Sequence, residues 1–282
     1  VSTKIKFLST AWTHNGSAIE SERLADWISG RLILPLPSNV NMLFMNRESE
    51  FIARCENIHQ ISAIIFSCPK NHFSRAFPLL NEKIVESFRV LEKCNVHSEI
   101  LLLVKVILLR FELSVISNFF PILFNELYGI LQLVPDISNF SRSDSPDIFC
   151  LIYRTCQVLD LLYTINNYEF QSYFGIFFAP DSKSGFLDHW KRIYERATEY
   201  SVDGRGKQTN SATIDFVSRE KKRPFLTDRL DKLNCLFDVL PSLFKHCWKE
   251  QRDSLGCNLE VDYEFIDQLI TDELFYYQSN EK

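Results

Sequence analysis

Cys55 and His59 stand one helical turn apart, a spacing at which a thiolate and an imidazole can share a zinc ion. A zinc site needs a second pair, and no other pair in the chain has matching spacing. The expected reading is therefore a packed cysteine and a partly exposed histidine. His246-Cys247 sets a base beside a nucleophile, but adjacent helical residues point in different directions, and Phe244 and Trp248 suit packing. Asp262 and Glu264 are paired carboxylates expected to face solvent. The chain has no GxGxxG, GK[ST], GxSxG or HExxH signature. No catalytic residue, metal site or cofactor is expected, and the chain reads as a non-enzyme.

The sharper chemical feature is basic. SREKKRP, residues 218–224, carries Arg219, Lys221, Lys222 and Arg223 against Glu220, and Arg205 and Lys207 fall in the same expected loop. These six residues are the candidate contact for anionic lipid or an acidic partner. Each basic residue near an anionic leaflet contributes about 1 kcal/mol, so the net charge of 218–224 gives about 3 kcal/mol, roughly a hundredfold in binding. That does not anchor a protein alone, and a second signal is required. The plainer reading is a solvated loop. The segment DISNFSRSDS is likewise a connector first and a phosphorylation site second.

These groups must be carried by helices. Of the 282 residues, 46% are apolar and 24% charged, a globular composition, and only eight are glycine, few for a parallel α/β enzyme or a β-sandwich. The net charge of −5 argues against nucleic acid as a partner. The eight cysteines form no CxxC and read as reduced thiols. Two glycosylation sequons, at Asn15 and Asn139, are of a kind that chance often supplies. The chain begins at Val1 rather than Met and reads as a piece of a longer one. The uncharged run Leu32–Asn46 is broken by Pro35, Pro37 and three Asn, and the shorter run Leu113–Asn125 spans thirteen residues. As helix that is about 20 Å, short of a hydrocarbon core of about 30 Å, so no transmembrane segment is expected.

Apolar spacing predicts a helix from about 17 to 29 opened by a Ser17–Glu20 capping box, then helices over about 48–66, 98–111, 113–133, 147–166, 186–200, 225–244 and 261–276. Residues 72–91 contain Pro78. Residues 1–12 and 257–262 allow extended chain. Phe77-Pro78-Leu79-Leu80 and Phe120-Pro121-Ile122-Leu123 lie 43 residues apart, and the same offset matches Ile84 to Leu127, Phe88 to Leu131 and Leu91 to Val134. A two-helix unit of about 40–47 residues is the HEAT or armadillo period. The expected fold is an all-α, HEAT/armadillo-like helical array (α-solenoid) in a single domain. It divides into an N-terminal cap at 1–46, main repeats at 47–200, a basic loop at 201–224 and C-terminal helices at 225–282.

Four passages resemble, in order and spacing over about residues 17–180, the C-terminal part of the Dopey family of trafficking proteins. They are NEKIVESFRV, LLVKVILLRFELSVISNFFPILFNELYGIL, LIYRTCQVLDLLYTI and FQSYFGIFFAP. FLTDRLDKLNCLFDVLPSLF is similar to a later family helix. Phe120 stands where the family pattern has Trp, Ser114 lies near an expected Pro, and Gly175-Ile176 replace an Arg-Trp pair. The resemblance implies a non-enzymatic scaffold or adaptor on the cytosolic face of Golgi and endosomal membranes. It implies a large Sec7-related, Arf exchange factor-like helical partner, phosphoinositide-containing membranes, and a kinesin motor engaged through the parent protein. The alternatives are a generic protein-binding solenoid of another cytosolic pathway, such as nuclear transport, and more distantly an enzyme.

Overall fold

The structure is a computed structural model that describes residues 19, 22–26, 47–89, 94–131, 145–165, 221–224, 226, 243 and 260–275. These residues are almost entirely helical, so the protein is all-α. The helices are α1 (Arg47–Ser67), α2 (Phe77–Arg89), α3 (Cys94–Arg110), α4 (Leu113–Ile116), α5 (Phe120–Leu131), α6 (Ser145–Thr164) and α7 (Tyr263–Phe275). The chain groups into two compact units, one of residues 1–126 with 270–282 and one of residues 127–269. The helices expected over 186–200 and 225–244, the extended segment at 1–12 and the pair Leu91–Val134 lie outside the described residues, except that Leu226 and Leu243 are buried. Ile19 and residues 22–26 are helical, with Leu24 fully buried.

The first unit is built on α1 packed along α3. Every residue of α3 from Ile100 to Leu109 is buried, as its apolar composition on all faces requires. Each such Leu, Ile or Val contributes about 1.5–3 kcal/mol relative to exposure. The C-terminal ends of α1 and α3 are tied together by polar groups. Arg110 Nε donates to the Phe66 carbonyl at 2.9 Å, and its guanidinium lies 4.2 Å over the Phe66 ring. The Asn71 N–H donates to the Arg110 carbonyl at 2.7 Å, while Asn71 Oδ1 accepts the Glu112 N–H at 2.7 Å. Asn71 sits at φ 61°, a left-handed conformation that asparagine tolerates better than most residues. Together these contacts satisfy carbonyls that the two helix ends leave without intrahelical donors.

The two Phe-Pro segments adopt one local structure. A 3-10 turn, Ser74–Ala76 or Ser117–Phe119, leads into a helix whose first two residues are Phe-Pro. The Phe77 N–H closes on the Ser74 carbonyl and the Phe120 N–H on the Ser117 carbonyl. Proline is harmless there, because the first N–H groups of a helix have no intrahelical acceptor. The side chains matched by the 43-residue offset face inward in both copies: Phe77 and Phe120, Leu80 and Leu123, Ile84 and Leu127, Phe88 and Leu131 are all buried.

Pro121 also corrects the expectation of one helix over 113–133. The chain forms α4, a 3-10 turn and then α5, because proline in an uninterrupted helix would leave the Ser117 carbonyl without its donor and press against it. Among the described residues, Leu113–Leu131 is the one segment long and apolar enough to cross a membrane by length and composition, with a mean hydropathy of 1.2. Its buried positions are Ile116, Phe119, Phe120, Leu123, Phe124, Leu127, Ile130 and Leu131, a stripe at helical spacing. Its exposed positions include Ser114, Asn118 and Asn125. A polar face opposite a buried apolar stripe is the pattern of a helix packed on protein.

Helix α6 opens at Ser145-Pro146 and carries Asp147 in its first turn, where a carboxylate favours the positive helix end. Leu151, Ile152, Val158, Leu159 and Leu162 are buried as their spacing predicts. Helix α7 buries Ile266, Ile270 and Leu274.

Candidate functional site

Of the six basic candidates, Arg205, Lys207 and Arg219 lie outside the described residues. The other three stand together, and the expected loop is structured where they stand. Lys221-Lys222 is a short strand pairing in parallel with Glu260-Val261, in the register Lys221 to Glu260 and Lys222 to Val261. The extended reading of 257–262 therefore holds at 260–261. Arg223 follows the strand, and Pro224 after it is buried.

Asp262 fastens this strand to the start of α7. Its N–H donates to the Lys222 carbonyl at 2.9 Å. Its Oδ1 accepts the Phe265 N–H at 3.2 Å, which makes it the N-cap of α7. Its Oδ2 accepts from Arg223 Nε at 2.7 Å, and the Arg223 guanidinium lies 4.5 Å over the Phe265 ring. The Arg223 hydrogen bond is the main cause that holds the Asp262 carboxyl below its usual 3.8, opposed by partial burial and helped by the Phe265 N–H and the Arg223 and Lys221 charges. The expectation that Asp262 faces solvent is thus corrected: its side chain is buried, whereas Glu264 is exposed. A helix N-cap that also receives an arginine has to turn inward.

The far end of the same segment is held by Asp160, on α6. Its Oδ2 accepts the Leu226 N–H at 2.7 Å, and both residues are buried. Asp160 also helps push the thiol of Cys156, one turn away, up to about 12, although burial is the larger cause. That thiol is protonated and unreactive at neutral pH.

The electrostatic outcome differs from the charge count of the sequence. Lys221 is exposed and Arg223 keeps 44% of its side-chain surface. Two carboxylates, Glu260 and Asp262, stand against the three cations at 221–223, leaving a net charge of about one for an anionic surface to meet.

Among the other candidates, His59 lies between polar groups. His59 is part-buried, with Nδ1 3.1 Å from Glu99 Oε2 and Nε2 2.9 Å from the Leu274 carbonyl. Among the described residues no group of three His, Cys, Asp or Glu side chains is placed to hold a metal ion. His246-Cys247 lies outside the described residues. The sequence reading missed Asp160 and Asp262 as organising residues. The signal for Asp160 was a lone carboxylate inside the apolar run Val158–Leu162; for Asp262 it was a carboxylate just before an apolar helical pattern, the mark of an N-cap.

The described chain is thus a helical protein whose polar groups close helix ends and tie segments together. The class is an all-α assembly with a recurring Phe-Pro helix start. Within that class, the chain matches the model of the DOP1 C-terminal family over residues 3–185, more than half its length, and it belongs to that family. The match bears out the Dopey resemblance and sets the chain among trafficking-related proteins. The matched residues end before the strand at 221–222 and before α7. No solved structure matches the chain.

Proposed function

We propose that this chain is a non-enzymatic scaffold, an α-solenoid segment serving traffic between endosomes and the Golgi on the cytosolic face of those membranes. The observation that carries the reading is the family match over residues 3–185. The recurring helix, 3-10 turn and Phe-Pro helix supports it, since stacked two-helix units make extended surfaces that suit protein partners. The partner of the proposal is a large Sec7-related, Arf exchange factor-like helical protein, with a kinesin motor engaged through the parent protein. Phosphoinositide-containing membrane is a second, weaker contact through Lys221, Lys222, Arg223 and the other basic residues of 201–224.

The test is binding of the purified chain to the purified Sec7-related protein, followed by sedimentation with liposomes containing phosphoinositide. The scaffold reading expects a saturable complex that survives replacement of any single histidine or cysteine. A folded, helical chain that forms no complex with that protein would overturn the partner assignment. The lipid contact expects weak, salt-sensitive sedimentation that falls in Lys221→Ala/Lys222→Ala. Binding indifferent to salt and to that variant would remove it.

A further inference from the structure

We propose that His59 is a protonation-controlled latch on the last turn of α7. The Leu274 carbonyl, 2.9 Å from Nε2, can only accept a hydrogen bond, and the ionised Glu99 carboxylate, 3.1 Å from Nδ1, can only accept as well. A neutral imidazole has one N–H and serves one of them. The imidazolium has two and serves both.

Both ring nitrogens face acceptors, and only the imidazolium serves the two together. Leu274 lies near the C-terminal end of the described residues of α7, and its carbonyl faces the His59 ring from that helix. The His59 side chain is 14% exposed and that of Glu99 24%, which shields the contact from water more than a surface pair. On α1, Cys55 lies in the preceding turn and Glu56 is exposed. On α3, Glu99 faces the ring, His97 turns toward the Phe88 ring and the Ser87 carbonyl, and Lys105 is buried against Glu273 of α7. Asp272 is exposed. Lys105 is thus paired with Glu273, and among the described residues Glu99 is the carboxylate placed on the His59 ring.

Two polar contacts therefore hold residues 273–274 to α1 and α3. The His59 contact is complete only while both ring nitrogens carry protons. Raising the pH leaves either Glu99 or the Leu274 carbonyl without its donor, and the end of α7 loosens.

Hydrogen–deuterium exchange of the full chain between pH 5.5 and 8.5, corrected for intrinsic exchange and read on peptides covering 263–275, tests this. Protection of the last turn is expected to fall about tenfold as the pH rises through the histidine range, the loss of one charge-assisted hydrogen bond. His59→Gln, which does not titrate, is expected to flatten the dependence. Glu99→Gln keeps an acceptor but deletes the charge, and is expected to move the fall to lower pH. Protection that is independent of pH in the unaltered chain, or an unchanged slope in His59→Gln, overturns the latch. Should His59→Gln fail to fold, a curve in Glu99→Gln superimposable on that of the unaltered chain overturns it equally.

Discussion

The helix pairs at 47–131 and the short segment at 221–226 are held by opposite means. The first rests on apolar stripes that recur along the chain, with polar groups such as the Arg110, Asn71 and Phe66 clasp closing helix ends. The second buries Pro224 and Leu226 but has no apolar repeat. It is held between two carboxylates, Asp160 on one side and Asp262 on the other. A periodic core tolerates local change because many contacts share the load. A segment fixed by two acceptors depends on each of them.

The largest expected effect lies in the helix pairs. Phe120→Ala should destabilise the protein by about 3–5 kcal/mol in urea unfolding, because it empties a fully buried site at the start of α5. Phe77→Ala, the matched position, should cost a similar amount. A loss below about 1 kcal/mol at one and a large loss at the other would break the equivalence of the two Phe-Pro starts.

Next comes the acceptor on α6. Asp160→Ala strands the buried Leu226 N–H and should cost about 1–3 kcal/mol. Exchange at Leu226 should rise more than exchange at 47–110. Equal change in both regions would mean that Asp160 supports the fold at large rather than this segment.

Asp262 should give a pH signature. Its folded carboxyl lies below the ordinary value, so its stabilisation is complete above the usual carboxylate range and is lost as pH falls through the lowered value. Asp262→Asn keeps an N-cap acceptor and removes the charge, so it should weaken protection at 221–224 and make it indifferent to acid. An acid-induced loss of protection at 221–224 that persists unchanged in Asp262→Asn would assign it to another carboxylate.

The smallest effect belongs to Lys83 and Glu86, an i,i+3 surface pair on α2 at 2.9 Å. Glu86→Ala should change stability by no more than about 0.5 kcal/mol. A larger loss would show that surface charge does more in the helix pairs than the comparison allows.

The sequence by itself determined most of the described helices and much of their inward faces. Leu80, Ile84, Leu123 and Leu127 were legible because burial of one face imposes a 3.6-residue period that neighbouring residues alone reveal. The Phe-Pro recurrence was legible because proline confines where a helix can begin. The family resemblance was legible because such constraints recur in order. The tertiary structure alone decided that Lys221-Lys222 pairs with Glu260-Val261. It alone decided that Asp262 neutralises Arg223 and that His59 meets a carbonyl 215 residues away. These are single contacts between residues distant in the chain. A hydrogen bond acts over about 3 Å of space and leaves no period in the sequence, so its partner is fixed only once the helices have packed.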